Sequence, residues 1–528
     1  MRPIRLLLVN PANGSSFWGL EHAVALFGRN YSTAPLGLAT VAALSPEHWD
    51  VRIRDENVAA TDLDEPCDIV GITAMNVQAA RAFVLADAFR RRGRTVVIGG
   101  PYATLEPERC APHADVLVIG EAERTWPAFC RDYERGETAA RYVEREPIDL
   151  AESPVPRYDL LREGNYSSLP IQTSRGCPYT CEFCDIIVMQ GRRVRTKPID
   201  RILAEAEALR RSGGDTIFFT DDNFLGNLKH ARALLAALID HSARTDWRPT
   251  LFSQASVNLA EQPELLDLMV RAGFSRIFLG VETPRRASLE EAGKRVNARG
   301  DLIERIFTIQ RAGLMVWAGM IVGFDSDDEA VFDEQFEFLQ EAGIAVAMVG
   351  MLNAPPQTPL YARLDAEGRI DANADWADNC AWTNIVPRRL SRAALFQGYA
   401  GLVQRLYAQE NYASRVRANV ARMGPARTGE SASRLPHGTE LRDLWRAIEV
   451  FTFSSSAERR RHFLPNLVWA FRHHPRRVVE AAIHLGMWSH FETYVPKLVA
   501  ALEQAAAHEQ VRAREIAWRR REVPAVAT

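Results

Sequence analysis

Twice along this chain, short apolar runs alternate with helix-length stretches, and no other feature limits the fold so tightly. The first series has strand-like runs at 4–10, 51–55, 68–73, 95–99 and 114–120, with helical stretches such as 35–44 and 77–92 between them. The second has runs at 168–174, 216–220, 250–255, 276–281, 316–322 and 346–352, with helices expected at 198–211, 228–240, 263–271 and 329–342. Apolar strands that alternate with helices are covered on both faces, which is the pattern of a parallel α/β sheet. Residues 1–140 therefore predict a doubly wound, Rossmann-like domain, and the six βα units of 166–356 suit a partial, open (βα)6 barrel. Residues 141–165 are rich in proline and charge without periodicity and read as a linker. Residues 357–528 lack strand alternation. They predict a helical C-terminal domain, with helices at 392–410, 439–453, 465–471 and 475–484 and a loop at 422–436.

Chemistry enters at the start of the second series. The run Gly176-Cys177-Pro178-Tyr179-Thr180-Cys181-Glu182-Phe183-Cys184 has the spacing C-x-x-x-C-x-x-C and follows a strand-like stretch. Three thiolates on one loop can hold three irons of a [4Fe-4S] cluster and leave the fourth iron open to a small molecule. A zinc site normally takes four ligands in paired spacing, and no fourth Cys or His lies nearby.

The bulk properties narrow the context. The 528 residues exceed one ordinary domain, and the net charge of −3 carries no nucleic-acid-like positive excess. Of seven cysteines, Cys67, Cys110, Cys130 and Cys380 are scattered and read as reduced thiols. They point to a reducing, cytoplasmic setting, which an oxygen-sensitive cluster also needs. No apolar run approaches the length of a membrane span, so membrane contact is expected to be peripheral at most. In the C-terminal segment, basic residues interleave with Phe463, Trp469, Phe471, Trp488 and Phe491. Core helices with a charged outer face account for that pattern better than a membrane-resting surface does.

The cysteine loop, with Phe183 beside its last cysteine, resembles that of the radical S-adenosylmethionine (SAM) enzymes. A five-strand domain directly before it, with Pro35-Leu36-Gly37-Leu38 and Gly99-Gly100-Pro101, resembles the cobalamin-binding class of that superfamily. The helical extension is similar to one carried by the subgroup that includes the hopanoid C-2 methylase family. The resemblance implies Cys177, Cys181 and Cys184 as cluster ligands. It also implies SAM contacts on successive strand ends. Phe183 stands beside the cluster, Asp222 of Thr220-Asp221-Asp222-Asn223 meets the SAM ammonium, and Gln254 and Ser256 meet its carboxylate or ribose. Glu282 accepts from the ribose diol and Gly323 lies beside adenine. The Gly-Gly-Glu run common in the superfamily is replaced here by the Asp-Asp-Asn group, and Asp before a helix is also good capping chemistry.

For cobalamin, the strand ends of the first domain are implied: Asn10, Pro11, Thr73, Gly99, Gly100, Pro101, Gly120 and Glu121. Small residues there let a large flat ligand approach the backbone. The D-x-H-x-x-G motif that supplies a histidine to cobalt is absent, and His22, His48 and His113 lack its spacing. Cobalamin is therefore expected base-off, with no histidine ligand. Between Gly191 and Arg201 the chain carries Arg192, Arg193, Arg195, Lys197 and Arg201, which read either as a solvated basic loop or as an anion-steering patch.

The resemblance implies an enzyme that methylates an unactivated carbon of a small or lipid-like substrate. A 5′-deoxyadenosyl radical and methylcobalamin would do the chemistry, and a reductase or flavodoxin-type donor would supply electrons. Oxidation or cyclisation without methyl transfer, as in the magnesium-protoporphyrin ester cyclase family, is one alternative. A non-enzymatic cofactor-sensing scaffold is another. A methylthiotransferase is disfavoured, because Cys67, Cys110 and Cys130 fit no second cluster loop. Trp317, Met320, Met348 and Met351 read as core that could instead line an apolar pocket, and Tyr102, Tyr361 and Cys380 are radical-quenching candidates by residue type alone.

Overall fold

The computed structural model describes residues 2–161, 166–371, 382–424, 438–454 and 456–522; Cys380 and most of the expected 422–436 loop lie outside them. Fifteen strands are described in three sheets. In chain order they are β1 (Arg5–Asn10), β2 (Tyr31–Thr33), β3 (Asp50–Asp55), β4 (Ile69–Thr73), β5 (Thr95–Gly99), β6 (Val116–Ile119) and β7 (Arg141–Val143). There follow β8 (Tyr166–Ile171), β9 (Ser174–Arg175), β10 (Arg195–Thr196), β11 (Thr216–Phe219), β12 (Thr250–Ala255), β13 (Phe274–Glu282), β14 (Met315–Val322) and β15 (Ala347–Met351).

The first sheet runs β3-β1-β4-β5-β6-β7, parallel throughout. In β1, Leu6 and Leu8 enter one core while Leu7 and Val9 enter another, which is why the strand reads as a continuous apolar run. The strand order reverses between β1 and β4. The crevice beyond their carboxyl ends is where ligands bind in sheets of this type. One strand departs from expectation. Residues 141–143, expected in the linker, form β7 and pair with β6.

The second sheet runs β15-β14-β13-β12-β11-β8-β2, again parallel, and is the partial barrel. Its edge strand β2 comes from the first domain, where sequence predicts no strand. Tyr31 pairs with Tyr166 and Thr33 with Ser168. Ser168 fixes the join with its hydroxyl, which meets Thr33 Oγ1 at 2.9 Å and donates to the Ser32 carbonyl at 3.0 Å.

Beyond β15 the described chain is helical: Pro359–Ala366, Arg392–Tyr407, Gln409–Arg422, Gly438–Thr452, Ala457–His473 and Val478–Glu522. Two of these correct the expected boundaries. Pro465, predicted as a helix start, lies inside Ala457–His473, because Phe463 and Ala470 on either side bury in the same core and packing outweighs one lost backbone bond. Of the helix predicted at 475–484, Pro475–Arg477 form a 3-10 turn and the rest opens a 45-residue helix that packs on Arg392–Tyr407 and on Glu21–Leu26 of the first domain. Phe463, Trp488 and Phe491 are core residues, whereas Phe471 is exposed. Among the described residues, no helix is long and apolar enough to cross a membrane.

Candidate functional site: the cysteine loop at the barrel mouth

β8 and β9 deliver the chain to the cysteine loop through Gly176, at φ 91°. A Cβ there would stand 2.8 Å from the Arg193 carbonyl, so the turn requires glycine. The loop is tied down from outside. The Cys177 N–H donates to the Gly191 carbonyl at 3.3 Å, and the Glu182 N–H donates to that of Ala292 at 3.1 Å. All three thiols are free, with Cys181 buried and Cys177 and Cys184 partly exposed. Burial pushes each thiol up, Cys184 to about 12, while the nearby Lys294 ammonium pulls Cys177 and Cys181 back. Among the described residues no three His, Cys, Asp or Glu side chains converge on a single ion. A cubane instead takes its thiolates on separate irons, so three free thiols on one braced, partly buried loop fit a [4Fe-4S] cluster.

Around this loop stand the strand ends. Asp221 is buried and accepts from the Thr173 N–H at 2.6 Å, from the Ser174 N–H and Oγ at 3.0 Å each, and from the Thr173 hydroxyl. It latches β9 to the end of β11. Asp222 turns the other way, accepts from the Gly176 N–H at 3.0 Å, and is pushed up to about 6 by burial. Asn223 reaches Cys177 and donates to Ser256 Oγ at 3.3 Å; Ser256 also lies 3.4 Å from the Tyr179 hydroxyl on the cysteine loop. Gln254, two residues before Ser256, faces the barrel lumen.

Glu282 ends β13 at φ 68°, after a register shift against β14. A bulge and a left-handed non-glycine residue at a strand end re-aim a side chain at local cost. Here the carboxylate meets Lys294 Nζ at 2.5 Å. Burial alone would lower the Lys294 pKa, but Glu282 and the thiols of Cys181 and Cys184 outweigh it and hold it above its ordinary value. Lys294 follows Gly293, whose Cβ would meet the Thr180 carbonyl at 2.8 Å, so it is delivered directly beside the cysteines. No sequence motif marks it. Gly323 (φ 102°) turns the chain after β14 under Asp327, which accepts from the Gly323 and Phe324 N–H groups at 2.8 and 3.0 Å. Phe183 packs edge-on against Phe324, with ring centroids 6.3 Å apart.

In the first domain, Asn10 donates to Asp55 and, with the Pro11 carbonyl, accepts from Gln78, so both belong to a hydrogen-bonded strand end. Gly100 (φ 91°) and Gly120 (φ 86°) are required by their surroundings: a Cβ would stand 2.5 Å from Thr73 Oγ1 and from the Glu144 carbonyl, respectively. Gly99 lies against the backbone of Val118, and Pro101 starts the short helix Pro101–Leu105. That helix packs on Ile186–Met189, which follows Cys184. Glu121, expected at cobalamin, accepts from Arg195 at 2.5 and 2.8 Å and lies 3.5 Å from Arg175. Its carboxylate thus joins the first domain to the strands that flank the cysteine loop. Of the basic run, Arg192 and Arg193 are exposed, Arg195 holds Glu121, and Lys197 is buried on Glu205 at 2.5 Å. Within the barrel lies a cavity of about 1210 Å³ lined by Gln254, Phe252, Phe278, Arg276, Trp317 and Met348, among others. Met320 and Met351 are buried core.

Comparison with known proteins agrees with this architecture. Residues 24–129 match the B12 binding domain, 171–339 the radical SAM superfamily and 358–504 a domain of unknown function. An uncharacterized methyltransferase of Synechocystis sp. is 34% identical over 89% of this chain and 88% of its own. The hopanoid C-2 methylase of Rhodopseudomonas palustris is 31% identical over 76% and 80%. Among solved structures, the radical SAM methyltransferase TsrM of Kitasatospora setae, with cobalamin and a [4Fe-4S] cluster bound, superposes with TM-score 0.62 at 15% identity, over 96% of this chain and all of that one. The cobalamin-dependent radical enzyme OxsB gives 0.60 at 16% identity, over 95% and 81%. This chain belongs to the B12-binding radical SAM methyltransferase family that includes hopanoid C-2 methylase.

Proposed function

We propose that this protein transfers a methyl group to an unactivated carbon of a small or lipid-like substrate held in the barrel lumen. One observation carries the reading. The carboxyl edge of the first sheet is fastened to the cysteine loop's flanking strands through Glu121, Arg195 and Arg175, so two cofactor sites would share one space. When bound, the cluster supplies the electron that cleaves SAM, and cobalamin supplies the methyl group. The protein's part is to bind and orient. Cys177, Cys181 and Cys184 hold the cluster. Asp222 meets the SAM ammonium, Gln254 and Ser256 its carboxylate or ribose, and Glu282 the ribose diol, with Lys294 steadying that carboxylate. Gly323 and Phe183 form the adenine side. Thr73, Gly99, Gly100, Pro101 and Gly120, with Asn10 and Pro11, form the floor beneath the corrin.

His22 stacks on His490, His48 bonds Glu134, and His113 bonds Asp87; none stands at the strand ends. This supports base-off cobalamin without a histidine ligand. A flavodoxin-type reductase in a reducing cytoplasm would supply electrons. Exposed Trp445, Phe453 and Phe471 support at most a peripheral membrane contact.

The test is anaerobic loading with iron, sulfide and cobalamin, followed by metal quantification, SAM cleavage and product mass. About four irons and one corrinoid per chain, with a product heavier by one CH2, are expected. Iron without corrinoid would remove the methyl donor, and a product that loses hydrogen or gains oxygen would favour the cyclase-type reaction instead.

A further inference from the structure

One charge inside the barrel has no counter-charge. Arg276 stands on the lumen face of β13, on the same face as Phe278 and Glu282. Its guanidinium lies over the rings of Phe252 at 4.0 Å and Trp317 at 5.1 Å. Among the described residues no hydrogen bond or ion pair reaches it, and its Nε is shielded from solvent without an acceptor. Arg415 shows how the same chain treats a buried arginine with a structural task. That guanidinium donates to the carbonyls of Ile344, Ala345 and Leu406 and to Gln340 Oε1, at 2.6–3.3 Å. Burial lowers both arginines to about 10, but only Arg415 has oxygen acceptors.

The walls around Arg276 are aromatic. Phe218 stacks on Phe252 at 4.5 Å, and Trp18 meets Phe278 at 5.1 Å. His484 on the helical cap feels the Arg276 charge, and burial pulls it down to about 4. Its Nδ1–H donates to the Glu480 carbonyl, so its Nε2 accepts from the Trp317 indole and the ring stays neutral. It therefore supplies no negative charge. A ring stacked on the face of a guanidinium leaves the in-plane N–H fork free, and that fork matches a carboxylate. Six residues separate Arg276 from Glu282, roughly 20 Å at strand rise. Between them Gly280 and Gly319 pair in register and add no side chains of their own, so the path is narrowed by Phe278 over Gly319 and by the Glu282–Lys294 pair over Gly280, while a Cβ on Gly350 would meet nothing within 4 Å.

We propose that the lumen takes an elongated, apolar, ring-bearing substrate that carries a carboxylate, with the carboxylate on the Arg276 fork and the carbon to be modified toward the cysteine loop. The inference rests on the lumen being the substrate side of the radical enzyme proposed above. Arg276 is then a specificity residue, set at the far end of the substrate from the chemistry.

The test uses the full-length, cofactor-loaded protein and two rigid probes, cholanic acid and its neutral alcohol cholan-24-ol. Quenching of tryptophan fluorescence, to which Trp18 and Trp317 contribute, reads binding without turnover. The acid should bind at least about tenfold tighter than the alcohol, as one charge-assisted hydrogen bond would give. R276M should erase that preference and R276K retain part of it. The melting temperature of R276M should stay level or rise, because no acceptor loses its donor. Equal binding of acid and alcohol, binding of neither, or a preference that survives in R276M overturns the proposal. If R276M does not fold, the comparison on the unmutated protein decides alone. SAM cleavage and corrinoid content on the same preparation report separately on the methyl-transfer reading, so the two can fail independently.

Discussion

Asp221 and Asp222 are adjacent carboxylates with different tasks. Asp221 satisfies four donors in a solvent-free pocket, so D221A strands them. At ~1–3 kcal/mol for each buried unsatisfied group, the variant should lose several kcal/mol of stability, read by denaturant midpoint. Asp222 has one backbone donor and faces the cysteine loop. D222N should fold, keep its iron, and raise the KM for SAM by about tenfold or more, as loss of one charge-assisted contact implies. C177A, C181A and C184A should each abolish both iron binding and SAM cleavage. Retained cleavage in any of them would exclude that cysteine as a ligand. K294M should leave iron content unchanged while SAM cleavage falls, because Glu282 loses its 2.5 Å partner.

At the scale of elements, the turn after β14 shows how a buried acid governs a backbone. Asp327 holds two N–H groups and the Ser288 hydroxyl, and burial pushes it up to about 6 from an ordinary 3.8. Its folded pKa lies above the unfolded one, so the folded state binds the extra proton between about pH 4 and 6. The stability this contributes is complete below pH 4 and is lost as pH rises through 6. The melting temperature of the wild type, taken relative to D327N, should therefore fall across that window. A flat difference would place the proton elsewhere. The same scale shows what sequence could reveal. The cysteine loop, the glycine-marked strand ends and the apolar strands are local patterns, and the structure has them within a few residues of the expected places. β2 is not local. Tyr31-Ser32-Thr33 has no apolar run of its own and becomes a strand only because β8 offers an edge. Lys294 and Arg276 were hidden for a related reason. A lysine after a helix and an arginine in a strand look like surface residues until tertiary structure shows what lies opposite them.

At the scale of the molecule, two domains and a helical cap share one continuous apolar core, and specific polar links cross between them. The bond from Arg195 to Glu121 ties sheet to barrel, and Gln357 reaches the Leu105 carbonyl at 2.7 Å. R195A should loosen the seating of the first domain, lowering cobalamin retention while iron content holds. An E121A/R195A double-mutant cycle should give a coupling of roughly 0.5–3 kcal/mol, and additivity would mean that the pair carries no joining energy. The strand β2 has a further consequence. Cutting the gene after residue 140 would not yield two portable modules. One product would carry an orphaned strand, and the other a raw sheet edge of the kind that invites aggregation. Such a protein resists domain shuffling: any exchange of its B12-binding half must bring along a compatible Tyr31–Thr33 segment, or rebuild the margin of the barrel from another source.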